Sequence, residues 1–331
     1  MDVVKRLGLA WSPSLNEADG MESNARFSGF GYAVEDRGEP RELDEMLRAV
    51  AAAGFTHAEI DAGLWDVLLG GRVNGRELAR WIAVLDRHRD DLRFTLHGAN
   101  DLNLFDTSER DLHERLLRAS LELARAVGAE AMAYHPGVRL KPPVGASVAM
   151  LDLMKYEREA LSAMGEEVSA WGGRVGVETW YAVGDVGYSY AIWPDQLAGQ
   201  VEAVGHPAVG VCLDFGHLFL AARWFGFDFL EGVARLAPVV NHFHLHDVFG
   251  ILSEKSSAEL GYGDLHLPPG WGQIPFDDLF SRIAFPRSPV FMIELVRGRK
   301  TRLLPHLDEM LSECRRLASL LRSDQLTSAP A

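Results

Sequence analysis

The sequence predicts an α/β protein built as one (β/α)8 barrel, and three observations predict it. Short apolar or β-branched runs alternate with longer segments of helical period from one end of the chain to the other. Eight such strand candidates can be counted, and no composition break divides the 331 residues into two halves. The hydrophobic content, 47%, is enough for one large core. A doubly wound open sheet is the competing arrangement, but eight uninterrupted βα units favour a closed barrel.

Taken in order, the strand candidates are RLGLAW (6–11), THAEID (56–61), RFTLHG (93–98), AMAYHPG (131–137), RVGVETW (174–180), VGVCLDFGH (209–217), VVNHFHLHD (239–247) and VFMIELV (290–296). Between them lie amphipathic segments such as ELDEMLRAVAAAG (42–54), SERDLHERLLRASLELARAVG (108–128) and MLDLMKYEREALSAMGEEVSAWGG (150–173). Each has apolar residues at spacings of three and four and a Gly near its end. Two stretches depart from the repeat: residues 12–40 after the first strand, rich in Gly and Ser, and residues 248–275 after the seventh. Connections of that length usually serve as functional lids or mobile surface. The domain is expected to span residues 1–321. The tail at 322–331, which contains SDQLTSAPA, has little to bury and is expected to be disordered.

Composition narrows the function classes. The formal net charge is −14, from 33 Lys+Arg against 47 Asp+Glu, so a polyanion would have to be met by a local basic patch acting against the global field. Nucleic acid is therefore the less favoured partner and a small molecule the more favoured one. Two cysteines, Cys212 and Cys314, without a short paired spacing, offer neither a disulfide framework nor a thiolate zinc site, which fits a reducing compartment. The opening residues lack the apolar centre of a signal peptide and no run approaches the ~20 apolar residues of a membrane span. The expectation is a soluble, cytoplasmic protein with no membrane partner. An oligomer is compatible with the composition.

Chemistry gathers at the predicted C-terminal ends of the strands. The third ends in His97, the fourth in His135, the fifth in Glu178, the sixth in Asp214 followed by His217, the seventh in His244 and the eighth in Glu294. In a barrel these ends converge on one face, and inward positions recur every second residue. Two residues earlier stand Thr95, Ala133, Gly176, Cys212, His242 and Met292, mostly small or apolar side chains suited to a packed layer below. A single His after an apolar run is more often a hydrogen-bonded structural residue than a ligand. A carboxylate inside VGVETW or FMIELV is harder to explain that way, because Asp and Glu are almost never buried unpaired. Six consecutive strands ending in imidazole or carboxylate, without thiolate, suit an open zinc, manganese or iron site. In HFHLHD, period two puts His242 deep, His244 at ligand height and His246 higher, so one ligand is expected, with His242 structural and His246 and Asp247 either behind the ligands or at the rim.

Other features carry less. His57, His88, His113, His206 and His306 fall on predicted helices or loop junctions, where surface or capping roles are expected. The Gly-rich FSGFGY and VGDVGYSY lack the strand-to-helix context of a phosphate loop. Cys212 beneath Asp214 is expected to pack in the core. Trp180, Tyr181, Tyr188, Tyr190, Trp193, Trp224 and Trp271 lie in or near predicted βα loops, where packing is the default. Trp180 and the polar His217 and His246 are carried as candidates to contact a sugar.

The motifs AYHPG, VGVETW, VGVCLDFGHLF, HLHD followed by DLH and GWGQIP, and FMIELV together resemble those of the xylose-isomerase-like TIM-barrel superfamily, which holds sugar phosphate isomerases and epimerases and the endonuclease IV family. The resemblance runs from about residue 55 to 320. The endonuclease IV pattern implies three zinc ions: His97 and His135 with Glu178 at the first, Glu178, Asp214, His244 and Glu294 at the second, and His217, Asp264 and His266 at the third. It also implies phosphodiester hydrolysis. Where the DNA enzymes would offer an aromatic residue soon after the third-strand His, this chain has HGANDLN, with Asn100. The isomerase branch implies one divalent ion held by Glu178, Asp214, His244 and Glu294, which chelates the carbonyl and adjacent hydroxyl of a sugar. Glu178 and Glu294 would exchange a proton from opposite faces of an enediolate, with His217 on the substrate. The acidic balance and the altered third loop favour the second use: a metal-dependent isomerase or epimerase acting on a small carbohydrate, with one to three ions of zinc, manganese or iron. An endonuclease IV-like phosphoesterase is the alternative.

Overall fold

The computed structural model describes residues 28–34, 39–63, 66–139, 150–181, 188–253, 255–296 and 299–321. Eight parallel strands close into a barrel: β1 (Gly29–Ala33), β2 (His57–Asp61), β3 (Arg93–His97), β4 (Ala131–Tyr134), β5 (Arg174–Glu178), β6 (Val209–Asp214), β7 (Val240–Leu245) and β8 (Val290–Ile293). Neighbours follow chain order and β1 pairs with β8, so every βα unit lies beside the one before it. The surrounding helices include α1 (Pro40–Ala52), α2 (Gly75–Leu85), α3 (Arg110–Val127), α4 (Met150–Ser169), α5 (Pro194–Val204) and α6 (Phe215–Phe225). After them come α7 (Phe229–Leu236), α8 (Phe276–Arg282), the short α9 (Arg299–Arg302) and α10 (Leu307–Ser319). The main core lies between strands and helices, where Ile60, Leu96, Val177, Leu213, Phe243 and Phe291 face helix residues such as Leu47, Leu85, Leu123, Leu161 and Leu279. No helix among the described residues is long and apolar enough to cross a membrane.

The first strand departs from the sequence reading. Residues 6–11, expected to form it, lie outside the described residues, and the strand that closes the barrel is Gly29–Ala33, inside the stretch 12–40 expected to be a loop. Its two glycines read as loop punctuation, yet they meet a steric demand. A Cβ on Gly31 would stand 2.3 Å from Met292 Cε, and one on Gly29 2.3 Å from Thr56 Oγ1. Two histidines expected at the surface are also corrected. His57 is buried at the start of β2, 2.8 Å from Thr56 Oγ1 and 3.2 Å from Glu130, and burial lowers its pKa. His88 is buried 2.9 Å from Asp44, and that hydrogen bond holds the Asp44 carboxyl below its ordinary range.

The β6–β7 pairing contains an irregularity that matters for everything above it. Val211 pairs with Val240, but Cys212 pairs with His242 and Asp214 with His244, so β7 carries one extra residue, Asn241. The Asn241 amide donates to Val175 O at 3.0 Å, which gives the displaced side chain a partner. A one-residue slip exchanges the two faces of a strand, so this bulge sets which residues of β7 enter the barrel.

The long connection after β7 is an ordered structure. Asp247, expected behind the ligands or at the rim, folds its carboxylate into the loop backbone. Oδ1 accepts from Val248 N at 2.9 Å and Ile274 N at 3.1 Å, and Oδ2 from Gly270 N at 3.0 Å and Gly272 N at 2.8 Å. Asp247 and Leu267 also exchange backbone hydrogen bonds at 2.8 and 3.0 Å. Replacing Asp247 with Ala strands four amides, and we expect it to cost about 2–4 kcal/mol in urea unfolding. Asp247→Asn, which keeps one acceptor oxygen, should lose less.

Candidate metal centre

The site is built on a buried carboxylate that the strand-end pattern overlooked. Glu59, in the middle of β2, is 1% exposed inside the barrel. Its Oε2 lies 2.8 Å from His242 Nε2 and accepts from Thr95 Oγ1 at 2.9 Å, while Oε1 stands 3.0 Å from His244 Nε2. Burial disfavours its charge, but His244 and His242 outweigh burial and hold the carboxyl well below the ordinary range. The pairing settles which way His244 faces. With Nε2 toward Glu59, its Nδ1 points up into the mouth, 3.1 Å from Glu294 Oε2, 3.5 Å from Glu178 Oε1 and 4.0 Å from Asp214 Oδ2. The signal was present in THAEID, where Glu59 alternates with the apolar Ala58 and Ile60 just as the β7 histidines alternate with Phe243 and Leu245.

Above that layer Glu178, Asp214, His244 and Glu294, from four successive strands, bring ligand atoms within 4.8 Å of one another. On these residues Glu178 Oε2, Glu294 Oε2 and both ring nitrogens of His244 are buried without a hydrogen-bond partner. Buried polar atoms are normally satisfied, so a converging set of orphans with carboxylate and imidazole chemistry fits a divalent cation. Despite burial, His244 and His135 keep Glu178 well below the usual carboxylate range, and His244 does the same for Glu294. Burial opposes the charge on His244, yet the surrounding carboxylates raise its pKa well above the ordinary value. The three carboxylates of the tetrad thus draw positive charge to the point where they meet.

Two further groups flank the tetrad. On one side His97 and His135 join Glu178 within the same 4.8 Å limit. His135 Nε2 is 3.4 Å and His97 Nε2 3.8 Å from Glu178 Oε2, with the rings edge to face at 4.8 Å. Glu157 on α4 fixes the chain that carries His135, accepting from Tyr134 Oη at 2.9 Å and Gly137 N at 2.6 Å. On the other side are His217, His246, Asp264 and His266. Asp264 Oδ2 lies 2.7 Å from His266 Nε2 and 3.3 Å from His217 Nε2. Burial works against the charge of His266, but Asp264 overrides it and pushes the pKa up to about 9. His266 has a φ of 42°, an uncommon left-handed conformation for a side chain of its size.

Of the two places expected for His246, behind the ligand layer or at the rim, it takes the first. The residue is fully buried, with Nε2 2.9 Å from both Asp214 oxygens and its ring flat against His266 at 3.8 Å. It is therefore a partner of Asp214 and the third group, without exposure at the mouth. Gly216 makes this approach possible, since a Cβ there would stand 2.0 Å from His246 Cε1. Asp214 also caps α6 by accepting from His217 N at 2.7 Å. His217 Nδ1 sits 3.0 Å from Thr179 O and 3.2 Å from Glu178 Oε1. Trp180 is half-buried against His135 (4.9 Å) and His217 (5.9 Å), and Tyr181, carried only as loop packing, covers His217 at 4.6 Å. His242, bonded to Glu59, is fully buried below the ligand layer. Cys212 is buried beside it, and burial pushes its thiol pKa up.

The family profile described as xylose isomerase-like TIM barrel matches residues 47–319. Among solved structures, a D-tagatose 3-epimerase-like protein aligns with TM-score 0.61 at 19% identity, covering 88% of this chain and 98% of that one. A D-psicose 3-epimerase of Clostridium cellulolyticum H10, solved with D-tagatose, aligns at 0.60 with 14% identity over 88% and 99%. The IolI protein with a bound zinc atom aligns at 0.63 with 15% identity over 89% and 99%. No curated protein matches the sequence.

Metal content of purified variants tests the centre. Asp214→Ala and His244→Ala are each expected to lower bound zinc or manganese several-fold by elemental analysis. Glu59→Ala, which removes no ligand, should weaken metal affinity by about 10- to 100-fold through loss of His244 orientation. Unchanged metal content in both ligand variants would count against the assignment.

Proposed function

The chain belongs to the xylose isomerase-like TIM-barrel family, and on that premise we propose that it is a divalent-metal-dependent sugar isomerase or epimerase, moving a proton α to a carbonyl on a small polyol. The observation that carries this reading is the tetrad of three carboxylates and one imidazole with its partnerless buried atoms, set beside a polar cavity of about 80 Å³. A cavity of that size suits part of a small molecule better than a duplex, which asks for an open, locally basic groove.

Glu178, Asp214, His244 and Glu294 would hold the ion. When bound, it supplies Lewis-acid polarisation of a carbonyl and its neighbouring hydroxyl. Glu178 on β5 and Glu294 after β8 stand at the two ends of the tetrad, separated by Asp214 and His244, so they approach a bound polyol from different sides. Each is held as a carboxylate, the form able to accept a proton from carbon. His217, 3.2 Å from Glu178 Oε1, limits the rotation of that carboxylate, while Trp180 and Tyr181 wall this side of the mouth and exclude water. The similar structures named as 3-epimerases support the same class of substrate for this chain.

One observation favours a second reading. The groups around His97–His135–Glu178 and His217–His246–Asp264–His266 extend the tetrad into a row able to take three ions, as an endonuclease IV-like phosphodiester hydrolase requires.

Solvent-deuterium exchange into D-fructose and D-tagatose with zinc or manganese, followed by NMR beside incision of an abasic-site duplex at low salt, separates the two. Exchange without incision is expected. Glu178→Gln and Glu294→Gln should each slow it by about 10²–10⁴-fold. Incision without exchange would overturn the proposal in favour of the hydrolase.

A further inference from the structure

The cavity beside the tetrad lies between β8, β1, β2 and β3, and its polar lining comprises Glu59, Asp61, His97, Asn100, Glu294 and Lys300. Most of these groups are already engaged. Glu59 holds His242, Asp61 Oδ1 accepts from Gly63 N at 2.7 Å, and His97 and Glu294 belong to the metal-ligand groups. Lys300 is different. It is 8% exposed, and among the described residues no carboxylate lies within ion-pair distance of its ammonium. Lysine is almost never withdrawn from water to this degree unless an anion faces it.

Its backbone is held from two directions. Tyr32 Oη, on β1, donates to Lys300 O at 3.1 Å. The neighbouring Arg299 guanidinium donates to His266 O at 3.0 Å and to Leu265 O, which ties α9 to the long loop after β7. The side chain is thus delivered to the cavity by a fixed segment, directly after the strand that carries Glu294. A molecule gripped at the tetrad and extending into this cavity would reach Lys300.

We infer that the substrate carries a carboxylate, and that Lys300 with Asn100 forms the subsite for it. This names the substrate class of the proposed exchange as a ketose acid and rests on that reading for the chemistry, though not for the binding. The charge balance selects a carboxylate over a phosphate ester. One ammonium matches one negative charge, Asp61 and Glu294 repel a second, and no guanidinium among the described residues lines the cavity to share a dianion. The Asn100 amide can donate to the second carboxylate oxygen.

The experiment measures binding of D-fructuronate, D-fructose and D-fructose 6-phosphate to the metal-loaded wild-type protein by calorimetry, with deuterium exchange on each run alongside. Fructuronate is expected to bind about 10- to 100-fold tighter than fructose, the contribution of one charge-assisted hydrogen-bonded pair. Lys300→Met should abolish that preference and Lys300→Arg keep part of it. Equal affinity for the acid and the neutral ketose in the wild type overturns the inference, needing no variant, and so does a preference for the phosphate ester. A preference for fructuronate that survives in Lys300→Met overturns it as well. Tight fructuronate binding without exchange on any of the three leaves the subsite standing and removes the isomerase reading instead.

Discussion

The contact between Glu59 and the two β7 histidines orders the rest of the site. A carboxylate sealed inside a barrel is tolerable only when matched by charge and hydrogen bonds, and here His242 and Thr95 supply the hydrogen bonds and His244 a close imidazole at 3.0 Å. Removing one side of such a buried set typically costs about 3–5 kcal/mol, because the remaining charge has no solvent to turn to. The same contact has a directional effect. It sets Nε2 of His244 on the Glu59 side and Nδ1 toward the mouth, so the layer that closes the barrel floor also orients an imidazole of the layer above.

Asp214 shows a similar double use one strand over. It caps α6, receives His246 and presents an oxygen to the tetrad, while Thr179 locks its backbone through hydrogen bonds of 2.9 Å in both directions. Helix, strand and tetrad are therefore positioned by one side chain. The bulge at Asn241 is what lets this happen. Without it Asp214 would sit opposite Phe243, and imidazoles would be exchanged for core hydrophobes along β7. Around this rigid centre the mouth has two unlike halves. Aromatic rings and histidines from β4, β5 and β6 crowd one, and a small polar cavity with a withdrawn lysine occupies the other.

Much of this was legible in the residues. Seven of the eight barrel strands lie where apolar runs predict them, and the ligand types at their ends converge because parallel strands of a barrel must share one face. The first strand was not legible, since Gly29 and Gly31 lower strand propensity and are required only because Thr56, His57 and Met292 already fill the space. Glu59, mid-strand, has no strand-end signature and was legible only through its alternation with Ala58 and Ile60. The place of His246 depended on a glycine, Gly216, whose missing Cβ could be interpreted only once α6 was set against β7.

Alternation and residue type, which are local properties, determined by themselves the barrel class, seven of its eight strands and the set of imidazoles and carboxylates at the mouth. Which nitrogen of His244 faces the mouth, whether His246 stands at the rim or against Asp214, and what surrounds Lys300 were decided by tertiary structure alone. Those outcomes rest on contacts between strands far apart in sequence, such as Glu59 with His242 and Tyr32 with Lys300. They also rest on a one-residue bulge that no period in the sequence announces.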